Sequence, residues 1–200
     1  MLDEPFRAVF AARLAPLARG LARAGASPNA ITSVAFVLAC GAAALVVTGW
    51  RWSGLLLWLA SRVLDGFDGL VARESGRTSP FGAFLDVTFD MAAYSLMLVA
   101  FAVQHPRWSV VWYLTLVGYV LASTSTLVLS SLLEARAQKT GNRSVQFTAG
   151  LAEAGETTIT YVLFTLFPAY IGPIAWCWCA AVWITVGQRT VAARRRFPPE

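Results

Sequence analysis

Histidine occurs once in this 200-residue chain and cysteine three times. His105 stands beside Pro106 in a turn. Cys40, Cys177 and Cys179 lie in apolar segments, with no CxxC pair and no histidine nearby. The usual zinc ligand sets and a disulfide framework are thereby excluded, and the cysteines read as buried packing residues. Charge is scarce too. Asp, Glu, Lys and Arg make up 14% of the chain, against about 25% in soluble domains. Hydrophobic residues reach 57% and the mean hydropathy is +0.59, more than the core of a soluble domain of this size needs. The chain reads as one all-α, polytopic membrane domain. No nucleic-acid partner is expected.

Apolar stretches near 30–49, 52–64, 83–103, 108–133, 157–168 and 171–187 predict six transmembrane helices. Several are shorter than the roughly 20 residues of a straight crossing. With alternating spans, fourteen of the sixteen Lys and Arg residues fall on one side: Arg7, Arg13, Arg19, Arg23, Arg62, Arg73, Arg77, Arg136, Lys139, Arg143, Arg189 and Arg194 to Arg196. Arg51 and Arg107 fall on the other. The positive-inside rule then makes both termini cytoplasmic, in an inner or plasma membrane. Phe6, Phe10, Leu14, Leu17 and Leu21 recur at helical spacing, with Arg7, Arg19 and Arg23 on other faces. This predicts an amphipathic helix over 1–26 lying in the cytoplasmic interface; Asp3 and Glu4 do not suit a signal peptide. Ser27 and Pro28 mark a helix start, as N-cap and first helical residue. The six-helix domain is read over 27–192 and a basic tail over 193–200.

Against this background, four of the eleven acidic residues are Asp65, Asp68, Asp86 and Asp90. An unpaired carboxylate beside apolar runs is expensive. Four gathered without matched Lys or Arg neighbours repel one another unless cations hold them. The second span loses its apolar character near Leu64, helix-compatible sequence continues to about Arg73, and Gly76 to Phe81 forms a turn before the next span starts at Gly82. The expected result is a cytoplasmic helical hairpin. Asp65 and Asp68, three apart, share one face of the descending helix, and Asp86 and Asp90, four apart, share one face of the ascending helix. Facing each other, these pairs suit two cations about 3.5–4 Å apart. With no Cys or His within reach, Mg2+ or Mn2+ is preferred over zinc. Gly66, Gly69 and Gly82 weaken the helices, a cost offset by close approach of a ligand or a neighbouring helix.

The register Asp65-x2-Asp68-Gly69-x2-Ala72-Arg73-x8-Gly82-x3-Asp86-x3-Asp90 resembles, position for position, the signature of the CDP-alcohol phosphatidyltransferase family. Pro28-Asn29-Ala30-Ile31-Thr32 is similar to the Pro-Asn-x-x-Thr stretch that opens that family's first span. The resemblance implies a six-helix membrane enzyme, usually a homodimer, with a cytoplasm-facing cavity. Such enzymes transfer a phosphatidyl or related group from a CDP-linked lipid, such as CDP-diacylglycerol, to a small alcohol acceptor and release CMP. Carried onto this chain, Asp65, Asp68, Asp86 and Asp90 hold two Mg2+ or Mn2+ ions, and Asp90 is also the base for the acceptor hydroxyl. Asp68, Gly69, Ala72 and Arg73 line the cytidine pocket, Ser79 and Gly82 approach the nucleotide from the turn, and Asn29 and Thr32 reach the diphosphate. Arg136, Lys139 and Arg143, near the end of the fourth span, either bind an acceptor phosphate or are ordinary positive-inside residues. Glu134 and Met91 stand where phosphate-accepting relatives carry basic residues, which points away from inositol phosphate or glycerol phosphate as acceptor.

Two cations on a diphosphate suit an in-line displacement at phosphorus, and no covalent nucleophile is in reach, so direct transfer is expected. Two other readings stay open. One is head-group transfer from a soluble CDP-alcohol to a lipid hydroxyl. The other is a divalent-cation transporter built on the same carboxylates, against which stands the lack of a polar trail to the opposite membrane face.

Overall fold

The computed structural model describes residues 14–140 and 154–197, and their regular structure is entirely helical. Residues 14–23 form α1. It is followed by α2 (Pro28–Val47), α3 (Arg51–Ser75), α4 (Pro80–Gln104), α5 (Ser109–Thr140), α6 (Ala154–Leu166) and α7 (Ile171–Arg196). Short 3-10 turns at Pro106–Trp108 and Pro168–Tyr170 precede α5 and α7. The helices form two compact units, one through Arg107 and one from Trp108.

In the first unit α2 is the organiser. Ala35, Ala39, Ala42 and Ala43 recur at helical spacing and are buried, so backbones approach closely on that face. A Cβ added at Gly54 of α3 would lie 2.7 Å from Val46 Cγ2 and 2.9 Å from the Ala42 carbonyl oxygen. On the α4 side, Phe36 and Phe89 stack with ring centroids 4.4 Å apart. α2 packs on both α3 and α4 more extensively than these two pack on each other. The expected hairpin is therefore present, but α2 backs it, and its two arms meet through side chains rather than through close backbones. α3 runs beyond its apolar stretch and stops at Gly76, whose φ of 66° is the left-handed cap that glycine accepts most readily.

Ala18 of α1 is buried against Phe67, Leu70 and Val71 of α3, with Leu14, Leu21, Ala22 and Ile31 around them. Leu14 and Leu21 of the predicted stripe thus turn to the protein, whereas Leu17 is exposed. Phe6, Phe10, Arg7 and Arg13 lie outside the described residues. Ser27 and Pro28 occupy the predicted N-cap and first positions of α2, although the Ser27 hydroxyl makes no capping bond.

In the second unit three helices meet at Tyr119. Trp178 Nε1 of α7 donates to the Tyr119 hydroxyl at 2.8 Å, and that hydroxyl lies 3.2 Å from the hydroxyl of Tyr161 on α6. These bonds satisfy polar tips that the apolar core would otherwise leave dry. Arg194 to Arg196 form the last turn of α7 rather than a separate tail, an end of the helix dipole that favours positive charge. Cys179 is buried as expected, but Cys177 faces outward and Cys40 is half-buried.

Among the described residues, four segments are long and apolar enough to cross a membrane: Pro28–Val47, Pro80–Gln104, Pro106–Arg136 and Pro168–Arg196. The expected spans at 52–64 and 157–168 are not among them. α3 interrupts its apolar run with charges at Arg62, Asp65 and Asp68. α6 has 13 residues, about 20 Å of helix against a hydrocarbon core of about 30 Å.

The α2–α3 contact yields a stability prediction. Gly54→Leu has backbone as well as side chain in its way and should destabilise the fold by about 1–3 kcal/mol. Thermal unfolding in detergent checks this, and an unchanged midpoint would contradict the close packing.

Candidate active site

The four aspartates sit where helical spacing predicts, two on the second half of α3 and two on the first half of α4. Carboxylate oxygens of Asp65, Asp68 and Asp86 all lie within 4.8 Å of one another, with Asp68 buried and Asp86 more open. Asp68 is held from two directions. Thr32 Oγ1 of α2 donates to its Oδ2, and the Gly69 backbone N–H donates to its Oδ1. The Pro-Asn-x-x-Thr stretch and the aspartate signature are thus joined by a direct hydrogen bond.

Asp90 stands apart from that trio. Its Oδ1 accepts a hydrogen bond from Arg62 Nη1, an ion pair between α3 and α4. The same nitrogen lies 3.7 Å from Asp65 Oδ2, one turn further along α3. The carboxylates are therefore not without a matched basic neighbour, as the sequence suggested. Arg62 counts as one more positive-inside residue in a linear tally, but its partner Asp90 comes 28 positions later, across the turn. The three-residue spacing of Arg62 and Asp65 was the available signal.

The residues expected around a nucleotide fall into two local groups. A Cβ at Gly82 would lie 3.0 Å from Asn29 Oδ1 and 3.2 Å from Ser79 Oγ, so the start of α2 and the start of α4 adjoin there. Ser79 caps α4 by accepting the Gly82 N–H at 3.0 Å. On α3, Arg73 Nη1 would be 3.4 Å from a Cβ at Gly69; Ala72 is half-buried and Arg73 exposed. Of the residues expected to meet the acceptor, Arg136 donates to the Arg196 carbonyl oxygen at 2.8 Å and lies over the Phe197 ring. Arg143 and the side chain of Lys139 are outside the described residues.

Electrostatics favours a cation here. Burial, reinforced by the negative charge of Asp90 and opposed by Arg62, pushes the Asp65 carboxyl up to about 8. Burial raises Asp68 as well, against the hydrogen bonds from Thr32 and Gly69. Opposite octahedral ligands of Mg2+ at about 2.1 Å are about 4.2 Å apart. Three carboxylates within 4.8 Å accordingly fit one such ion after small side-chain shifts, and their all-oxygen donor set matches a hard cation.

The profile of the family described as CDP-alcohol phosphatidyltransferase matches residues 26–189. The chain belongs to this family. The inner membrane protein YnjF of Escherichia coli is 30% identical over 193 residues, covering 94% of this chain and 93% of its own. An archaetidylinositol phosphate synthase of Pyrococcus horikoshii is 31% identical over 184 residues, covering 90% of each chain. Among solved structures, the phosphatidylinositol phosphate synthase of Mycobacterium tuberculosis is similar in fold at 23% identity. With CDP-DAG bound its TM-score is 0.73, over 90% of this chain and 92% of that one; with manganese and citrate the TM-score is 0.63, over 89% and 87%. As a CDP-alcohol phosphatidyltransferase, the protein is an integral membrane enzyme that transfers a substituted phosphate group from a CDP-linked lipid to an alcohol.

The raised Asp65 carboxyl gives a pH prediction. Folding raises its affinity for a proton from the ordinary 3.8 to about 8. The metal-free fold is thus favoured below pH 3.8 and loses that contribution as pH rises toward 8. A cation must displace this proton. Mg2+ or Mn2+ binding at pH 7 should release protons, and the apparent affinity should rise with pH up to about 8. Calorimetric titration in two buffers of different ionisation enthalpy measures the release; equal heats in both would refute it.

Proposed function

We propose that this phosphatidyltransferase moves the phosphatidyl or related group of a CDP-linked lipid directly to an alcohol, at a cytoplasm-facing site that holds two divalent cations, Mg2+ or Mn2+. The observation that carries the reading is the convergence of Asp65, Asp68 and Asp86 oxygens within 4.8 Å, on a helix pair that Thr32 ties to the start of α2. Asp90 completes the ligand set. Bound there, the cations would neutralise the diphosphate and the departing CMP.

The protein's own groups then divide the work. Arg73, exposed at the end of α3, offers a bidentate donor to phosphate or to the cytosine edge. Gly69 and Ala72 present little side chain beside it, which leaves room for the base. Gly82 keeps open the space between Asn29 and Ser79, where a Cβ would crowd a diphosphate. Asp68 is oriented by Thr32 and Gly69. Asp90 takes the proton of the acceptor hydroxyl as its oxygen bonds to the lipid-side phosphorus and the bond to CMP breaks. Fourteen of sixteen Lys and Arg residues on one side support a cytoplasmic site and termini, with α3 and α6 completing six spans. The family resemblance supports a homodimer.

The acceptor we assign is an alcohol without a phosphate of its own. Met91, next to Asp90, is exposed, Glu134 is exposed, and both stand where the resemblance leads one to expect basic residues in phosphate-accepting members. Arg136 already serves the Arg196 carbonyl. Because the Pyrococcus and mycobacterial relatives are named as synthases of archaetidylinositol phosphate and phosphatidylinositol phosphate, inositol phosphate is the informative control.

The test is CMP release from CDP-diacylglycerol with Mg2+ or Mn2+, over serine, inositol, choline, glycerol 3-phosphate and inositol phosphate. Cation-dependent release that needs an alcohol is expected. Asp90→Asn should slow it by about 10²–10⁴-fold, and Asp86→Asn by at least about 10²-fold. Full activity of Asp86→Asn would sink the cation assignment. Fastest turnover with inositol phosphate would overturn the acceptor assignment and leave the reaction standing.

A further inference from the structure

We propose that Arg62 is a positioning residue for the acceptor half of the reaction, holding the Asp90 carboxylate in the orientation from which it takes the hydroxyl proton. The inference rests on the reading of Asp90 as base. It concerns a residue that lies outside the signature, which begins at Asp65.

Arg62 is mounted rather than solvated. Its side chain is 11% exposed, and its guanidinium carbon lies 4.7 Å from the Trp58 ring centroid and 5.2 Å from that of Tyr94. Those two rings meet edge-on, with centroids 5.5 Å apart at 67°, and both are core residues, Trp58 at 0% and Tyr94 at 7% exposure. The Nε donates to Ser61 Oγ at 3.3 Å. A planar, weakly hydrated guanidinium suits such an aromatic seat, where a lysine ammonium would lose hydration without stacking. The seat is built from both arms of the hairpin, Trp58 on α3 and Tyr94 on α4.

From this seat Nη1 engages Asp90 Oδ1. Among the described residues the ion pair uses that one carboxylate oxygen, so Oδ2 remains available to a hydroxyl. Asp90 is also the aspartate outside the 4.8 Å trio. Asp65 would repel it, and Arg62, 3.7 Å from Asp65, stands against both charges. Without Arg62, Asp90 loses the contact that fixes its side chain, and a base misplaced by about 1 Å can cost about 10²-fold in rate. The CDP side, built on Thr32, Asp68, Gly69 and Arg73, does not touch Arg62 in any bond described above. Its affinity for the lipid donor should survive.

The full-length protein in detergent–lipid micelles is assayed for CMP release from CDP-diacylglycerol, with the fastest alcohol of the panel above. Arg62→Gln should lower kcat by about 10- to 100-fold and leave KM for CDP-diacylglycerol within about twofold. Arg62→Lys should keep more of kcat than Arg62→Gln. Because Arg62 acts through Asp90, the Arg62→Gln/Asp90→Asn double variant should be no slower than Asp90→Asn alone. Near-normal kcat in Arg62→Gln, a loss confined to KM, or losses that multiply in the double variant would each overturn the proposal. Should Arg62→Gln fail to fold, the cycle of Arg62→Lys with Asp90→Asn decides in the same way. Normal activity of Asp90→Asn on its own would instead refute the base assignment, which separates the two failures.

Discussion

Negative charge gathered beside apolar helices has to be met by positive charge or by protons, and this necessity organises the first unit. At a separation of 4 Å and an effective dielectric constant of about 20, two like charges repel by about 4 kcal/mol, a large share of any domain's net stability. The protein divides the burden among its carboxylates. Arg62 serves Asp90 and, more loosely, Asp65. Thr32 and the Gly69 amide serve Asp68. What is left is a trio of oxygens matched to a hard cation, and that remainder is the reactive centre we propose.

The surrounding packing makes this division workable. Small residues along α2 let α3 and α4 lean on it separately, so the acidic ends of the hairpin are held near each other without their backbones closing the gap. The same economy recurs at Gly82, where hydrogen takes the place of a Cβ beside Asn29 and Ser79.

Much of this was legible in the chain because helices convert spacing into facing. Asp65 with Asp68, and Asp86 with Asp90, needed only a period of 3.6 residues and a turn at Gly76 to be brought together. Arg62 was not legible in the same way. A tally of charges treats it as one of many cytoplasmic arginines, and its aromatic seat combines Trp58 with Tyr94, 36 positions apart. The α1 stripe shows another limit. Periodicity says that one face is apolar, not what covers it, and Leu14 and Leu21 are covered partly by Phe67, Leu70 and Val71. Apolar length alone does not single out α3 as a span, for a related reason. The charges that break up its hydrophobic run are the ones assigned to the proposed site.

Asp86 and Asp90 are neighbours on one rigid element, four residues and about 6 Å apart along α4. Any rotation or slide of that helix that improves the reach of one alters the reach of the other. With the roles proposed for these two residues, the grip on the inorganic ion and the aim of the proton acceptor would be geared together, like two teeth on one shaft. Exchanging Mg2+ for a larger ion of the same charge would be felt at the incoming alcohol as well as at the nucleotide.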